Sequence, residues 1–451
     1  MLLLLYLPWQ VLLLYTCTRA FSCACEPTYW CVLQACPAAR AGHITVHVAP
    51  HSHAELGYTR TFSAHYTGGV TPSKVNMKRI LDATIAELWA KPDRTFTLSS
   101  SEFPYFFHWW SERHPTVHRM VYELLRQGRL VLVGGGWGMA DEATTSYQAF
   151  VDSYTHSLRK INSTFLRCGR PLVAWQADTF GHSREVASLV AQMGFDGLFF
   201  SPMSFDDEII RMNRQALEFV WRGSDDLGKL TDILAHKLFD GYWSPPGFCF
   251  GALCSDPLLV HSDSIFNNIE ERVSTLLSIR YRQAPHYPTP NVLVMMGQRF
   301  GYFRAATWFK NIDKLIDHIT NQMISFSCLP YDVYVCSYRP ILETKQDDFL
   351  PLAYNENSYA AGFYTALPAF KLLIREANVY LQVSVVECFT SRCFHSCSRC
   401  FTPVFCEDKV FFRSSRPICA EAWLSHVKFT CLEIIESVLS FKSKCCKALK
   451  L

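Results

Sequence analysis

His43-Ile44-Thr45-Val46-His47-Val48-Ala49, followed by Pro50-His51-Ser52-His53-Ala54-Glu55-Leu56-Gly57-Tyr58, decides how the rest of the chain reads. The first seven residues are a β-branched, apolar run of the kind a buried strand uses, and Pro50 is expected to end it. A helix follows. Met77, Ile80, Leu81, Ile85, Leu88 and Trp89 share one stripe of a 3.6-residue period across Lys74 to Ala90, and Pro92 stops it. Thr95 to Leu98 reads as a strand and Pro115 to Arg126 as a helix with Gly128 as its stop; Leu130 to Val133 reads as the next strand. Further out, helices are expected near Tyr147 to Lys160, Arg184 to Met193 and Trp308 to Ile319. Strands are expected at Leu172 to Trp175, Leu198 to Phe200 and Asn291 to Met296. This alternation predicts an α/β domain over residues 36–340, with a mainly parallel sheet or a barrel-like β/α closure.

The composition suits a large core. Of 451 residues, 49% are hydrophobic and 18% charged, which excludes a disordered or coiled-coil chain. Lys plus Arg number 43 and Asp plus Glu 40, so the formal charge of +3 carries no nucleic-acid footprint. The two ends stand apart. Met1 to Tyr15 is almost wholly apolar, as long as a signal-peptide core and too short to span a bilayer. Residues 1–20 therefore read as a signal peptide, although the first basic residue, Arg19, comes after the apolar run; no membrane span is expected. Residues 383–451 form a Cys-rich tail without sustained periodicity. The spacing of Cys393, His395, Cys397 and Cys400 does not make the paired C-x₂-C of a structural zinc module, so a segment with no fold of its own is expected. Asn162-Ser163-Thr164 is a glycosylation sequon, and Cys249 and Cys254 are close enough for a small disulfide loop. Both suit an oxidising compartment.

Ligands of such domains sit at the carboxyl ends of the strands. His51, His53, Glu55, Gly57 and Tyr58 follow the first strand, and Asp178, Phe180, Gly181 and His182 follow the fourth. Pro202 and Ser204, then Arg299 and Tyr302, come later. One acidic and two histidine side chains are expected to converge there. His53 and Glu55, two apart on an extended segment, point to one side, and with Asp178 they offer nitrogen and carboxylate ligands to a divalent metal. By itself the H-x-H spacing suits histidines satisfied by backbone hydrogen bonds at least as well.

Pro50 to Tyr58 resembles the P-H-S/T-H-x-D-x-G-W motif of the family 38 glycoside hydrolases, most closely their lysosomal α-mannosidase branch. Gly134 to Thr145 resembles that family's G-G-W-x-M-x-D-E-A-T-T, and Trp175 to Ser183 its W-x-x-D-P-F-G-H-S. Gln192 to Gly197, the Cys249 to Cys254 loop, Trp308 to Leu315, Asp347 to Pro351 and Thr365 to Ala369 match in order. The resemblance spans roughly residues 36 to 382, with 341–382 as the start of a helical bundle domain. It implies a zinc-using, retaining α-mannosidase acting on terminal α-D-mannosides of N-glycans, reached through the secretory pathway and working in the lysosome. Mannose-containing oligosaccharides are the implied partners. Retention needs two carboxyl groups about 5–5.5 Å apart. By motif, Asp178 is the nucleophile and a zinc ligand, His53 and Glu55 are further ligands, and Tyr58, Phe180 and His182 line the sugar site. A disulfide from Cys36 to Cys328 or Cys336 is implied as well.

The chain also departs from the pattern. Glu55 stands where the family has Asp, one methylene longer. Gly297-Gln298-Arg299-Phe300-Gly301-Tyr302 stands where G-x-D-F-x-Y carries the general acid, and Arg299 cannot give up a proton near neutral pH. Pro202-Met203-Ser204-Phe205 replaces R-I/L-D-Y, and Tyr58 replaces a tryptophan. After Leu381 the sequence has no H-H-D-x-I/V-T-G-T motif, which brings a further histidine ligand in the family. Two readings follow: an α-mannosidase-type glycosidase of reduced activity, or a catalytically inactive pseudoenzyme or mannoside-binding remnant. A different zinc hydrolase would explain none of the longer motifs.

Overall fold

Strand β1 (Thr45–His53) runs on past Pro50, where the sequence pattern ended it. It pairs in parallel with β8 (Asn291–Arg299) along its whole length, Pro50 opposite Met296 included. On its other flank β1 meets β9 (Phe326–Ser327) at Val46 and His47, and β2 (Phe96–Ser99) at His51. Pro50 falls between these two neighbours, where its missing N–H costs no ladder bond. The computed structural model describes residues 44–57, 60–68, 75–261, 265–320, 326–327 and 342–394. The expected signal peptide, Tyr58, the Cys36 to Cys328 or Cys336 disulfide and the tail from residue 395 onward lie outside them.

β2 carries β3 (Leu130–Val133) on its far side, completing the first sheet in the order β3-β2-β1-β8 with β9 on β1. A second sheet runs β10 (Thr344–Lys345), β6 (Glu218–Arg222), β7 (Asp232–Lys237), β5 (Gly197–Phe200) and β4 (Val173–Gln176). Every pairing in the two sheets is parallel except β6 with β7. The Gly134 N–H, just past β3, donates to the Val173 carbonyl of β4 at 2.8 Å and joins the sheets. Ala49, Val133, Leu293 and Met295 from the first sheet and Val173, Trp175 and Phe199 from the second fill one buried interior. Inward side chains from both sheets meeting in a single core are what barrel-like closure produces. The α/β, mainly parallel fold expected from the sequence is the one observed.

Helices α1 (Phe62–Thr67), α2 (Met77–Ala90), α3 (Phe103–Ser111) and α4 (Pro115–Arg126) pack outside the first sheet. There they join α8 (Ile269–Gln283) and α9 (Ala305–Thr320) around one core. Asn76 caps α2 by accepting the Arg79 N–H at 3.0 Å, which sets the start of the helix three residues later than the periodicity did. Trp89, expected on the apolar stripe of α2, is 50% exposed. Helices α5 (Tyr147–Phe165) and α6 (Arg184–Gln192) cover the second sheet, and α7 (Phe205–Asn213) follows β5. The sequence pattern had marked none of α3, α7, α8, β6 and β7.

The sheet domain also reaches beyond the expected boundary at residue 340, because β10 pairs with β6 and Phe349 sits in the core of the second sheet. After the antiparallel pair β11 (Ala353–Asn355) and β12 (Ser358–Tyr359) come α10 (Ala361–Thr365) and the long α11 (Pro368–Phe394). Leu372, Val379 and Tyr380 of α11 are exposed. Among the described residues no helix is long and apolar enough to cross a membrane.

Candidate active site

His53 is the last residue of β1, and the parallel register places it directly opposite Arg299, the last residue of β8. Paired residues of adjacent strands point to the same face, so the imidazole and the guanidinium emerge side by side at the carboxyl end of the sheet. The strands can lie this close because residue 297 is glycine. A Cβ there would meet the His51 carbonyl oxygen at 2.0 Å. Glu55 follows two residues after His53, and Asp178 enters from the end of β4.

His53, Glu55 and Asp178 each present one ligand atom, all within 4.8 Å of one another, so the three make a possible metal site. His53 Nε2 lies 2.6 Å from Glu55 Oε1 and 3.7 Å from Asp178 Oδ2. Burial holds the His53 imidazole down at about 4, against the pull of Asp178, and Arg299 adds to the lowering. Its ring is therefore neutral, as a ligand must be. Burial pushes the Asp178 carboxyl up to about 7; Glu55 pushes the same way through a hydrogen bond and its charge, while His53 and Arg299 pull it down. Arg299 Nη2 donates to Glu55 Oε1 at 3.0 Å and to Asp178 Oδ2 at 2.6 Å. Those are the two oxygens that face His53. The donor types suit zinc, but the arrangement does not fit the ion while the guanidinium holds these oxygens.

Tyr242, which no spacing pointed to, completes the cluster. Its ring stacks on His53 with centroids 3.9 Å apart and 6° between planes, and its hydroxyl donates to Asp178 Oδ2 at 3.4 Å. The Arg299 guanidinium carbon is 5.8 Å from the same ring. The one available signal was the aromatic pair Tyr242-Trp243 between β7 and the Cys249 to Cys254 loop.

The sequence model of the glycosyl hydrolases family 38 N-terminal domain matches residues 43–350. The chain belongs to glycosyl hydrolase family 38. Lysosomal alpha-mannosidases of Cavia porcellus and Homo sapiens are each 37% identical to it over 361 residues, covering 78% of this chain and 36% of theirs. The chain thus spans little more than a third of the length of these relatives. A solved alpha-mannosidase from Enterococcus faecalis V583 is similar in fold at a TM-score of 0.50. It is 16% identical and covers 68% of this chain and 31% of that one.

In this family 38 domain several residues expected at the site serve elsewhere. His51 does not join the cluster: it is buried against Gly297, and burial holds its imidazole at about 4. Among the described residues one histidine, His53, meets the carboxylates. His182, expected against the sugar, is fully buried, with Nδ1 2.9 Å from Glu142 Oε1 and Nε2 2.9 Å from the Pro202 carbonyl. It supports the Asp178 turn from behind. Phe180 stacks on Phe363 of α10 at 3.6 Å, so one ring face is already covered. Tyr302 is core, stacked on Trp308 with its hydroxyl on the Met296 carbonyl. The Ser204 hydroxyl bonds the Pro351 carbonyl and accepts the Ala353 N–H. Asn162 is exposed in the last turns of α5, and Cys249 is joined to Cys254 as a disulfide with Cα atoms 5.5 Å apart.

Proposed function

We propose that this chain carries an α-mannosidase-type glycosidase site for terminal α-D-mannosides of N-glycans, with Asp178 as the nucleophile of a retaining mechanism. The observation that carries this reading is the Asp178 carboxylate itself. It stands at the carboxyl end of β4, its side chain 34% exposed, while His53 behind it is 1% exposed. Attack on the anomeric carbon by the ionised form of Asp178, the form that the Arg299 guanidinium favours, would form a glycosyl ester, which water then cleaves. The leaving-group oxygen needs a proton in the first step, and residue 299 cannot supply one. Loss of general acid catalysis typically slows a reaction by about 10²–10⁴-fold. Substrates with good leaving groups are spared that loss. The family implies zinc, and His53, Glu55 and Asp178 are the side chains that would hold it; no step here depends on it. The apolar run expected to be a signal peptide, the exposed Asn162 sequon and the lysosomal relatives support a lysosomal protein that matures in the secretory pathway.

Release of dinitrophenolate from a dinitrophenyl α-mannoside tests this reading, since that leaving group needs little protonation. The wild type is expected to release it and Asp178→Asn to fall to background. Equal rates from both would sink the assignment. A second reading, an inactive mannoside-binding remnant, draws support from the Arg299 Nη2 contact at 2.6 Å on the nucleophile's own oxygen. It predicts mannose-analogue binding by calorimetry with no Asp178-dependent release.

A further inference from the structure

We propose that Arg299 is the resident cation of this site: its guanidinium takes the place of a divalent ion on Glu55 Oε1 and Asp178 Oδ2, and the wild-type site holds no zinc. The inference rests on the reading of His53, Glu55 and Asp178 as the position of the family's metal.

Three observations carry it. First, the atoms coincide. The oxygens nearest to His53 Nε2, Glu55 Oε1 and Asp178 Oδ2, are the two that Arg299 Nη2 bonds. An ion about 2.0–2.2 Å from both would crowd a nitrogen that carries positive charge. Second, the remaining donors have closed on each other. Two ligands on one tetrahedral zinc lie about 3.4 Å apart, given bonds of about 2.0–2.2 Å. His53 Nε2 and Glu55 Oε1 are 2.6 Å apart, a hydrogen-bond distance that has a proton between them rather than a shared metal. Glu55, one methylene longer than the family's aspartate, is the residue that makes this contact. Third, Arg299 is built in. It ends β8 in register with His53, and the next residue, Phe300, donates its N–H to the His53 carbonyl at 3.0 Å. Phe300 and Tyr302 both have positive φ, 53° and 66°, so the turn that presents the guanidinium is a specific and constrained one. Two carboxylates facing one fixed guanidinium already have a cation, and the attraction a metal would need is partly spent.

Zinc stoichiometry after chelator treatment, zinc loading and desalting tests this. It is read on the wild type, Arg299→Ala, Asp178→Asn and the Arg299→Ala/Asp178→Asn pair. Cysteines elsewhere in the chain contribute equally to all four, so only differences count. Wild type and Asp178→Asn are expected to hold equal zinc. Arg299→Ala should gain about one ion per chain, the number one three-ligand site takes, and the double variant should lose it again. An ion in the wild type that disappears in Asp178→Asn overturns the proposal, and so does the absence of any gain on removing the guanidinium. Should Arg299→Ala fail to fold in a thermal melt, Arg299→Met keeps the length and bulk of the side chain and is read the same way. The count needs no activity, so an outcome against Arg299 leaves the dinitrophenyl mannoside test of Asp178 standing, and the reverse also holds.

Discussion

Glu142→Ala is expected to destabilise the protein by about 2–4 kcal/mol, since a buried polar group left without its partner costs about 1–3 kcal/mol and the emptied site adds to that. Neither side chain of the Glu142 and His182 pair is exposed at all. Oε1 faces His182 Nδ1 at 2.9 Å, and Oε2 accepts the Ser183 N–H at 2.7 Å. The other ring nitrogen is committed to the Pro202 carbonyl. Nδ1 also lies 3.2 Å from the Thr179 hydroxyl, so Glu142 and Thr179 share that side of the ring. Alanine would leave the Ser183 amide without its acceptor and the ring nitrogen with the Thr179 hydroxyl alone. Glu142→Gln should cost less, because its carbonyl still accepts the Ser183 N–H and its NH₂ can donate to Nδ1 of a ring that keeps its proton on Nε2. The turn affected runs from Asp178 to His182, so Asp178-dependent dinitrophenolate release should fall with stability in both variants. Urea unfolding measures the first effect; an alanine variant within about 1 kcal/mol of wild type would show that the contact holds nothing together.

Much of this fold is legible in the chain because buried parallel strands leave a simple mark. Leu130 to Val133 and Leu198 to Phe200 are short apolar runs between turn residues, and both are strands. Pro115 to Arg126 carries its own start and stop and is a helix over that span. What stayed hidden has physical causes. Helix α3, Phe103 to Ser111, is apolar nearly all round because it is buried nearly all round, so no 3.6-residue stripe stands out. β6 and β7 begin and end with charged residues, of which Arg222 and Asp232 pair between the neighbouring strands, and such ends look like loops in sequence. Trp89 fits the stripe of α2 but faces solvent, because periodicity gives a face and not a depth.

The site divides in the same way. His53, Glu55 and Asp178 follow strand ends, where α/β domains keep their chemistry, and they do meet. Tyr242 reaches the cluster from a loop whose path only the folded sheets fix. Arg299 shows the limit most clearly. Its position was readable, and so was the loss of a proton donor there; that its guanidinium bridges both carboxylates depends on the register of β8 with β1, which no spacing within the chain contains.

Glu102→Gln should flatten the pH dependence of stability between about pH 5 and pH 8. Glu102 follows β2 and is wholly buried, with Oε2 accepting the Ser99 N–H at 3.0 Å and the Ser99 hydroxyl at 3.3 Å. Burial pushes its carboxyl up from 4.5 to about 8, and the hydrogen bonds from Ser99 and Ser52 only partly oppose that. Between those two values the folded chain keeps a proton that the unfolded chain gives up, so stability falls as pH rises. One proton gives a slope of at most about 1.4 kcal/mol per pH unit between those values; the stability is fully present below the unfolded value, and its loss is complete above the folded one. Glutamine keeps the shape and a carbonyl acceptor for the Ser99 N–H without an ionisable group. Its melting temperature should therefore match the wild type near pH 5 and exceed it increasingly toward pH 8. Comparing the two melts at each pH cancels every other titrating group, Asp178 included. Parallel curves would mean that Glu102 is ionised in the folded chain and that Ser99 and Ser52 compensate its buried charge. A protonated Glu102 would make the core beside the catalytic strands most secure in acid, the condition of the compartment proposed for this protein.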